Sequence, residues 1–314
     1  MTLLIACRKI KKDGFADGLR ALDASLDVRI WPDAGDLAGI RYALVWKPPE
    51  GVLARLPGLR VIFSIGAGVD NVLSDPDLPD VPLVRFVDPN LTMRMSEYVC
   101  LHVLMHHRRM RDYGELQSQA QWKEFLPQPG ANELRVGVMG LGVLGLDAVE
   151  KLRMLGYQLA GWSRSQKQID GIECFAGDEG LKPFLARTDI LVCLLPHTPG
   201  TEGMLNAALI SGLAQDGPLP GPVLINAGRG KLQVEADILK SLDDGGLWAA
   251  SLDVFEEEPL PPASPLWAHR QVIITPHNAS ISDDMAVCRY VANQIARHER
   301  GEPLENVVDL SQGY

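Results

Sequence analysis

The sequence has few cysteines, and none of them stands in a recognisable pair. Its five cysteines lie singly along the chain, without a C-x-x-C motif or the spacing of a zinc site. This pattern argues against a disulfide framework and a cysteine-based metal centre, and it is typical of a reducing compartment. We therefore expect a cytoplasmic protein that holds no metal.

Long apolar runs and an excess of positive charge are also missing. No stretch approaches the length of a membrane-spanning helix. In residues 1–12 the basic side chains follow the short apolar stretch, which is the reverse of their order in a secretory signal. Lys and Arg number 30 against 40 Asp and Glu, so the net charge is −10. Because nucleic-acid-binding proteins favour basic patches, we expect neither a nucleic acid nor a membrane as partner.

Short apolar segments alternate with helix-compatible segments through all 314 residues, a length that suggests two domains. This alternation predicts an α/β fold of parallel sheets with helices on both faces. The predicted strands are residues 3–7, 28–31, 43–46, 61–65, 83–87, 136–139, 157–162, 190–195, 222–226, 247–254 and 272–275. The predicted helices include residues 18–26, 51–56, 96–121, 146–155, 236–242 and 283–300.

A glycine-rich turn links a strand to a helix within residues 136–165, followed by a second strand. This context predicts a dinucleotide site from G-x-G-x-x-G, a motif that is weak evidence by itself. Gly140 would allow the tight turn, Gly142 would let the backbone approach a pyrophosphate, and Gly145 would let the helix pack closely on the strand. The alternative is a tight turn that binds nothing.

The end of the second strand carries Ser163 and Arg164, where enzymes that use NAD usually have an acidic residue. A carboxylate would repel a ribose 2′-phosphate, whereas a hydroxyl and a guanidinium can bind one. We therefore predict that NADPH is preferred and that NADH is used more weakly. A solvated arginine on a loop is the alternative.

Two strand ends in the first hundred residues are candidate ligand sites. Trp46 ends one predicted strand, and another runs into Gly66-Ala67-Gly68. The amides of such a turn can point together and hold a carboxylate, although an ordinary glycine turn is equally compatible with the sequence. Trp46 is either a pocket wall or buried aromatic mass.

His102 and His106 are four residues apart on a predicted helix, a spacing that can bind a metal. No carboxylate or thiol stands nearby at ligand spacing. We therefore favour a helix at a domain or subunit junction over a metal site.

Three further motifs, residues 226–230, 252–260 and 275–280, follow late strands. Together with residues 66–70, 140–145 and 195–201, they resemble the D-isomer-specific 2-hydroxyacid dehydrogenase family, and the short glyoxylate/hydroxypyruvate reductases within it most of all. The resemblance covers nearly the whole chain. It implies a flavodoxin-like substrate domain (residues 1–98 plus 287–314), a Rossmann cofactor domain (residues 99–286), a cleft between them, and a homodimer.

The resemblance also implies roles for individual residues. Arg229, Glu258 and His277 would be catalytic. Trp46, Ala67, Gly68 and Arg229 would bind the substrate. The cofactor would be bound by Gly140, Leu141, Gly142, Val143, Leu144, Gly145, Ser163, Arg164, Leu195, Pro196, Thr201, Ala227, Gly228, Asp253 and His277.

The chemistry of carbonyl reduction requires these residue types. Hydride transfer to the α-keto carbon leaves negative charge on the carbonyl oxygen, which an arginine stabilises while it also grips the carboxylate. A histidine such as His277 suits delivery of the proton. A carboxylate such as Glu258 would hold one imidazole nitrogen and favour the imidazolium.

We therefore expect an NADPH-dependent reductase of a small 2-oxo acid, which converts glyoxylate to glycolate and hydroxypyruvate to D-glycerate. A reductase of a bulkier 2-oxo acid, a phosphite- or formate-type relative, and a non-catalytic dinucleotide-sensing corepressor remain as alternatives. The long Pro- and Gly-rich connection at residues 212–222 has no functional explanation at this stage.

Overall fold

The computed structural model describes residues 1–8 and 12–309. It divides into two compact units, Met1–Leu91 with Ile281–Tyr314, and Thr92–Ser280. The resemblance implies boundaries after residues 98 and 286 instead. The second of those would cut the last helix (Asp284–Glu299) near its start, where the Asp283 side chain accepts a hydrogen bond from the Ala286 amide. The first boundary lies inside a continuous helix (Pro89–His107), so no break in composition marks it.

The first unit is a parallel sheet with the strand order β2-β1-β3-β4-β5. This is the flavodoxin-like order, and the predicted fold class is confirmed. The strands are apolar and buried because helices cover the sheet. The elements are β1 (Thr2–Cys7), α1 (Asp13–Leu22), β2 (Asp27–Ile30), β3 (Tyr42–Trp46), β4 (Val61–Ser64), α2 (Asp70–Leu73), β5 (Leu83–Arg85), the start of α3 (Pro89–His107), and α9 (Asp284–Glu299).

Two helices of the first unit differ from the prediction. The helix predicted at residues 18–26 lies at Asp13–Leu22, where Phe15 and Leu19 bury one face against the sheet. The helix predicted at residues 51–56 is only a short 3₁₀ turn, Leu53–Arg55. Both segments are short, so packing rather than apolar periodicity decides their limits.

The second unit is a parallel sheet with the order β12-β11-β10-β9-β6-β7-β8. The strands after β6 are added first on one side of it (β7, β8) and then on the other (β9 to β12), and open α/β sheets bind ligands where the strand order switches in this way. The elements are α4 (Met110–Ser118), β6 (Arg135–Met139), α5 (Val143–Met154), β7 (Gln158–Ser163), β8 (Glu173–Ala176), α6 (Gly177–Ala186), β9 (Ile190–Cys193), α7 (Ala207–Ser211), β10 (Val223–Asn226), α8 (Glu235–Asp243), β11 (Ala249–Leu252) and β12 (Val272–Ile274).

The single helix predicted at residues 96–121 is two helices, α3 and α4. Arg109 adopts a left-handed conformation between them (φ 53°), which ends one helix and redirects the chain. We did not predict β8 and α6. None of the helices within residues 1–8 and 12–309 is long and apolar enough to span a membrane.

The long connection at residues 212–222 closes one end of the second sheet. Leu213 and Leu219 are buried in it. Asp216 forms an ion pair with Arg135 at 2.6 Å, and Arg135 also pairs with the buried Asp189 at 2.6 Å. Because Arg135 begins β6 and Asp189 precedes β9, the connection holds the amino ends of these strands. Its role is structural.

His102 and His106 are buried and share one hydroxyl group. Nδ1 of His102 and Nε2 of His106 each lie 2.8 Å from Oγ of Ser251, on β11. The part of the chain that the structure describes contains no cluster of three His, Cys, Asp or Glu side chains suited to a metal. The two histidines therefore form a polar contact between α3 and the sheet.

Burial of the two histidines predicts acid sensitivity. Burial lowers the pKa of His102 to about 4 and the pKa of His106 to about 3. An unfolded histidine titrates near 6.5, so the unfolded chain binds more protons below that pH. Their contribution to stability is therefore complete above about pH 6.5 and is lost progressively as the pH falls toward the pKa values of the folded protein.

This loss is measured from urea unfolding curves at several pH values between 7.5 and 4.5. We expect His106→Gln to have a shallower pH dependence than the parent. Equal slopes in the two proteins would show that the buried pair does not titrate in this way.

Candidate active site

The register of the second sheet brings the predicted cofactor and catalytic loops to one edge. Met139 pairs with Trp162 and with Cys193, Asn226 pairs with Cys193 and with Leu252, and Leu252 pairs with Ile274. Each of these residues lies at or next to the carboxyl end of its strand. The loops that follow therefore start at one level of the sheet, although the chain reaches them over more than a hundred residues.

The three glycines of the turn after β6 differ in their surroundings. Gly140 has a φ of +102°, and a Cβ built there would lie 2.9 Å from the carbonyl carbon of Leu194. A Cβ on Gly145 would lie 1.8 Å from the carbonyl oxygen of Gly140, so only glycine permits this packing of α5. A Cβ on Gly142 would meet no atom within 4 Å. The open space at Gly142 lies at the N-cap of α5, whose first amides have no partner within the helix.

Ser163 ends β7 and Arg164 follows it, next to this turn, because the Gly140 amide donates to the carbonyl oxygen of Trp162 at 2.9 Å. Arg164 is exposed. Ser163 is buried, and its hydroxyl donates to the carbonyl oxygen of Ser165 at 2.8 Å. The structure therefore presents the arginine at the surface and uses the serine hydroxyl to shape the loop.

The loop after β9 is held close to the glycine turn by the Leu194 amide, which donates to the Met139 carbonyl oxygen at 2.8 Å. Thr201 closes this loop. Its hydroxyl donates to the Pro196 carbonyl oxygen at 2.8 Å and accepts from the Thr198 amide at 2.9 Å. Of the predicted contacts in this loop, Leu195 is buried and Pro196 is partly exposed.

Arg229 stands on a loop that two buried polar side chains hold in place. Asn226 donates to Oε1 of Gln233 at 2.8 Å and to the Arg229 carbonyl oxygen at 3.2 Å, and it accepts from the Gly228 amide at 3.1 Å. A Cβ on Gly230 would lie 1.7 Å from the Phe255 carbonyl oxygen, so the loop presses directly against the next one.

The sequence interpretation did not assign roles to Asn226, Gln233 and Gly230. Two amide side chains that flank Gly-Arg-Gly are a usable signal, because an amide can donate and accept within one tight loop.

His277 and Glu258 are in direct contact. Nδ1 of His277 lies 2.9 Å from both carboxylate oxygens of Glu258. An ionised carboxylate only accepts, so Nδ1 carries the proton and donates it to Glu258. Nε2 makes no hydrogen bond with any described residue, and the imidazole is about one third exposed, at 32%. The pair can therefore transfer a proton at Nε2.

Asp253 is almost fully buried next to this pair. Its carboxylate accepts hydrogen bonds from the amides of Asn278 (2.9 Å) and Ala279 (3.0 Å), and from the hydroxyl of Thr275 (2.7 Å). The predicted cofactor residue Asp253 is thus also the group around which residues 275–279 fold.

In the first unit, the structure brings the two predicted substrate-binding features together. A Cβ on Gly66 would lie 2.6 Å from Cζ3 of Trp46, so the indole rests directly on the glycine turn. The hydroxyl of Ser64 donates to the Gly66 carbonyl oxygen at 3.2 Å and supports the turn from below. Ala67 and Gly68 are partly exposed, and neither amide donates to another described residue. These amides can bind an anion.

Comparison with known proteins agrees with this geometry. The model of the NAD-binding domain of D-isomer-specific 2-hydroxyacid dehydrogenases matches residues 100–279. Glyoxylate/hydroxypyruvate reductase A of Serratia proteamaculans (strain 568) is 43% identical over 293 residues, 91% of either protein.

Two crystal structures also resemble the chain over its full length. One is the NADPH-dependent glyoxylate/hydroxypyruvate reductase of Sinorhizobium meliloti in complex with NADP and sulfate (49% identity, TM-score 0.94). The other is a probable 2-hydroxyacid dehydrogenase of Rhizobium etli CFN 42 in complex with NADP, HEPES and L(+)-tartaric acid (47% identity, TM-score 0.94). Each match covers 100% of this chain and 99% of the other.

The chain belongs to the D-isomer-specific 2-hydroxyacid dehydrogenase family. It is an oxidoreductase, and the resemblance inferred from its motifs is confirmed.

The surroundings of Gly142 and Gly145 predict that an alanine at these two positions affects different properties of the protein. Gly145→Ala should destabilise the protein by about 1–3 kcal/mol, because its Cβ overlaps backbone. Gly142→Ala should keep the parental thermal midpoint, because its Cβ has room. If the open space at Gly142 receives a pyrophosphate, as the glycine motif predicts, Gly142→Ala should also weaken dinucleotide binding about tenfold (about 1.4 kcal/mol). Thermal unfolding and fluorescence titration with a dinucleotide measure both effects, and equal destabilisation by the two variants would contradict these roles.

Proposed function

We propose that the enzyme reduces a small 2-oxo acid, glyoxylate or hydroxypyruvate, with NADPH. The observation that carries the proposal is the His277–Glu258 pair, whose Nε2 is available at the carboxyl edge of a dinucleotide-binding sheet. The relatives named above as glyoxylate/hydroxypyruvate reductases support the substrate class.

The chain offers a fitting site for NADPH. The open space at Gly142 and the first amides of α5 suit a pyrophosphate. The exposed Arg164 suits a 2′-phosphate, since guanidinium forms charge-assisted hydrogen bonds with phosphate. Two structurally similar relatives were crystallised with NADP. We propose these residues as the cofactor site, together with Gly140, Leu141, Val143, Leu144, Gly145, Ser163, Leu195, Pro196, Thr201, Ala227, Gly228, Asp253 and His277.

When bound, the reduced nicotinamide supplies the hydride. Arg229 binds the carboxylate of the 2-oxo acid and stabilises the negative charge that develops on its carbonyl oxygen. His277 donates the proton from Nε2 to that oxygen, and Glu258 stabilises the imidazolium through Nδ1. The amides of Ala67 and Gly68 bind the substrate carboxylate, and Trp46, resting on the same turn, limits the size of the substrate side chain.

The substrate and cofactor are tested together by steady-state kinetics. Glyoxylate, hydroxypyruvate, pyruvate and phenylpyruvate are each assayed with NADPH and with NADH. We expect the two small substrates and NADPH to have the highest kcat/KM. Preference for phenylpyruvate would indicate a reductase of bulkier 2-oxo acids instead.

The same assay tests the role of Arg164. Arg164→Ala should lower the ratio of kcat/KM for NADPH to that for NADH about tenfold, because a charged contact with the 2′-phosphate is lost. Arg289→Ala, which also removes an exposed arginine but lies in the first unit, should leave the ratio unchanged. An unchanged ratio in Arg164→Ala would remove this residue from the explanation.

His277→Gln should lower kcat about 10²–10⁴-fold, since the proton donor is lost. Arg229→Ala should lower kcat and raise the KM for the 2-oxo acid, because it contributes to binding and to charge stabilisation. His269→Gln, at the turn before β12, where His269 pairs with Asp243, is the matched histidine control.

Near-parental turnover by His277→Gln would disprove its role as the proton donor.

We also propose a cytoplasmic homodimer. Trp122 is 97% exposed and Leu126 is 75% exposed on the segment after α4. The Arg109 guanidinium lies 3.7 Å from the ring centre of Phe125, which anchors this segment between the two exposed side chains. Exposed aromatic and aliphatic side chains on an anchored segment suit a subunit interface. Sedimentation velocity of the full chain measures the oligomeric state.

A further inference from the structure

We propose that Tyr98 and Thr275 are positioning residues for His277, and that they act through the buried carboxylate of Asp253. The proposal rests on the function proposed above for His277. It adds a hydrogen-bonded chain that begins on α3 and ends at the loop carrying the proton donor.

The loop needs external support because His277 has an unfavourable backbone conformation. Its φ is +55°, in the left-handed region that is unfavourable for a residue other than glycine. The His277 amide donates to the carbonyl oxygen of Asp253 at 2.7 Å. The Asp253 side chain accepts from the next two amides, Asn278 and Ala279. Asp253 therefore holds three consecutive amides of the His277 loop.

The direction of the remaining hydrogen bonds follows from the chemistry of their groups. The hydroxyl of Thr275 has one hydrogen, which it donates to Oδ1 of Asp253 at 2.7 Å. The oxygen of Thr275 must therefore accept from the Tyr98 hydroxyl, which lies 2.9 Å away. Tyr98 therefore donates to Thr275, and Thr275 donates to Asp253. Tyr98 and Asp253 are both buried, so water does not readily replace a missing member of the chain.

Tyr98 is itself fixed by the histidine that follows it one turn later on α3. The rings of Tyr98 and His102 lie 4.0 Å apart, centre to centre. His102 in turn contacts Ser251 on β11, two residues before Asp253 in the chain. Neighbouring side chains of α3 thus contact Thr275, which follows β12, and Ser251, which lies on β11. The phenol hydroxyl has a defined position from which to donate.

Loss of either hydroxyl should loosen the His277 loop without emptying the cofactor site. Displacement of a reacting group by about 1 Å can reduce turnover about a hundredfold, so partial loosening should have a measurable effect on kcat. We expect Thr275→Val to lower kcat about tenfold and Tyr98→Phe to lower it several-fold. The Kd for NADPH, measured by fluorescence titration, should remain within about twofold of the parental value. Thr275→Ser, which keeps the hydroxyl group, should have the parental kcat.

Tyr157→Phe is the matched control. It removes another buried tyrosine hydroxyl, which contacts His107 on the same helix at 2.8 Å but has no contact with the Asp253 chain. We expect it to leave kcat unchanged even where it lowers the thermal midpoint. If Tyr98 had only a structural role, Tyr98→Phe would leave kcat unchanged, as we expect for Tyr157→Phe.

A second measurement does not depend on turnover. The imidazole nitrogens of His277 are followed by long-range ¹H–¹⁵N NMR, with His277→Gln used for assignment. We expect the His277 signals to shift or broaden in Thr275→Val and Tyr98→Phe, and to remain unchanged in Thr275→Ser and Tyr157→Phe.

Unchanged His277 signals, or a loss of NADPH affinity that accounts for the whole loss of kcat/KM, would overturn the proposal. Absence of turnover with every 2-oxo acid would instead overturn the proposed function. The NMR measurement distinguishes the two failures, because it does not require turnover.

Discussion

The hydrogen-bonded register of the seven parallel strands is the constraint on which the candidate active site depends. Because neighbouring strands run in the same direction and in register, the loops after β6, β7, β9, β10, β11 and β12 begin at one edge. Gly140, Arg164, Arg229 and His277 all follow that edge. A sheet with mixed strand directions would send some of these loops to the opposite end.

Buried polar side chains then determine the shape of each loop. Asn226 and Gln233 hold the Arg229 loop, and Asp253 holds the His277 loop. Burial of such groups is costly unless each one is hydrogen-bonded, and here each has protein partners. Displacing these side chains would leave buried polar groups without partners, so the hydrogen bonds favour the loop conformations described above. Fixed loops are what the proposed proton donor and the proposed anion-binding arginine require.

The fold class and the family could be predicted from the sequence because they depend on local patterns. Apolar segments of strand length, the spacing of Gly140, Gly142 and Gly145, and the short motifs around Arg229 and His277 lie close together in the chain. The errors occurred where tertiary packing overrides such patterns. The left-handed Arg109 divides one predicted helix into two, and α1 is displaced because Phe15 and Leu19 are buried. The hydrogen bond from the Ser163 hydroxyl to the Ser165 carbonyl oxygen could not be predicted either, because it depends on the course of the loop.

The sequence by itself determined the glycine turn after β6 and the pairing of His277 with Glu258, because both follow from short motifs whose residue types have a defined chemistry. Only the tertiary structure decided how the histidine is held. Tyr98 and Thr275 are separated by 177 residues, and neither belongs to a pattern that marks it as a partner of Asp253. Their contact exists because α3 packs against β11 and places the Tyr98 hydroxyl beside Thr275, which follows β12. A hydrogen bond between side chains so far apart in the chain is a consequence of packing.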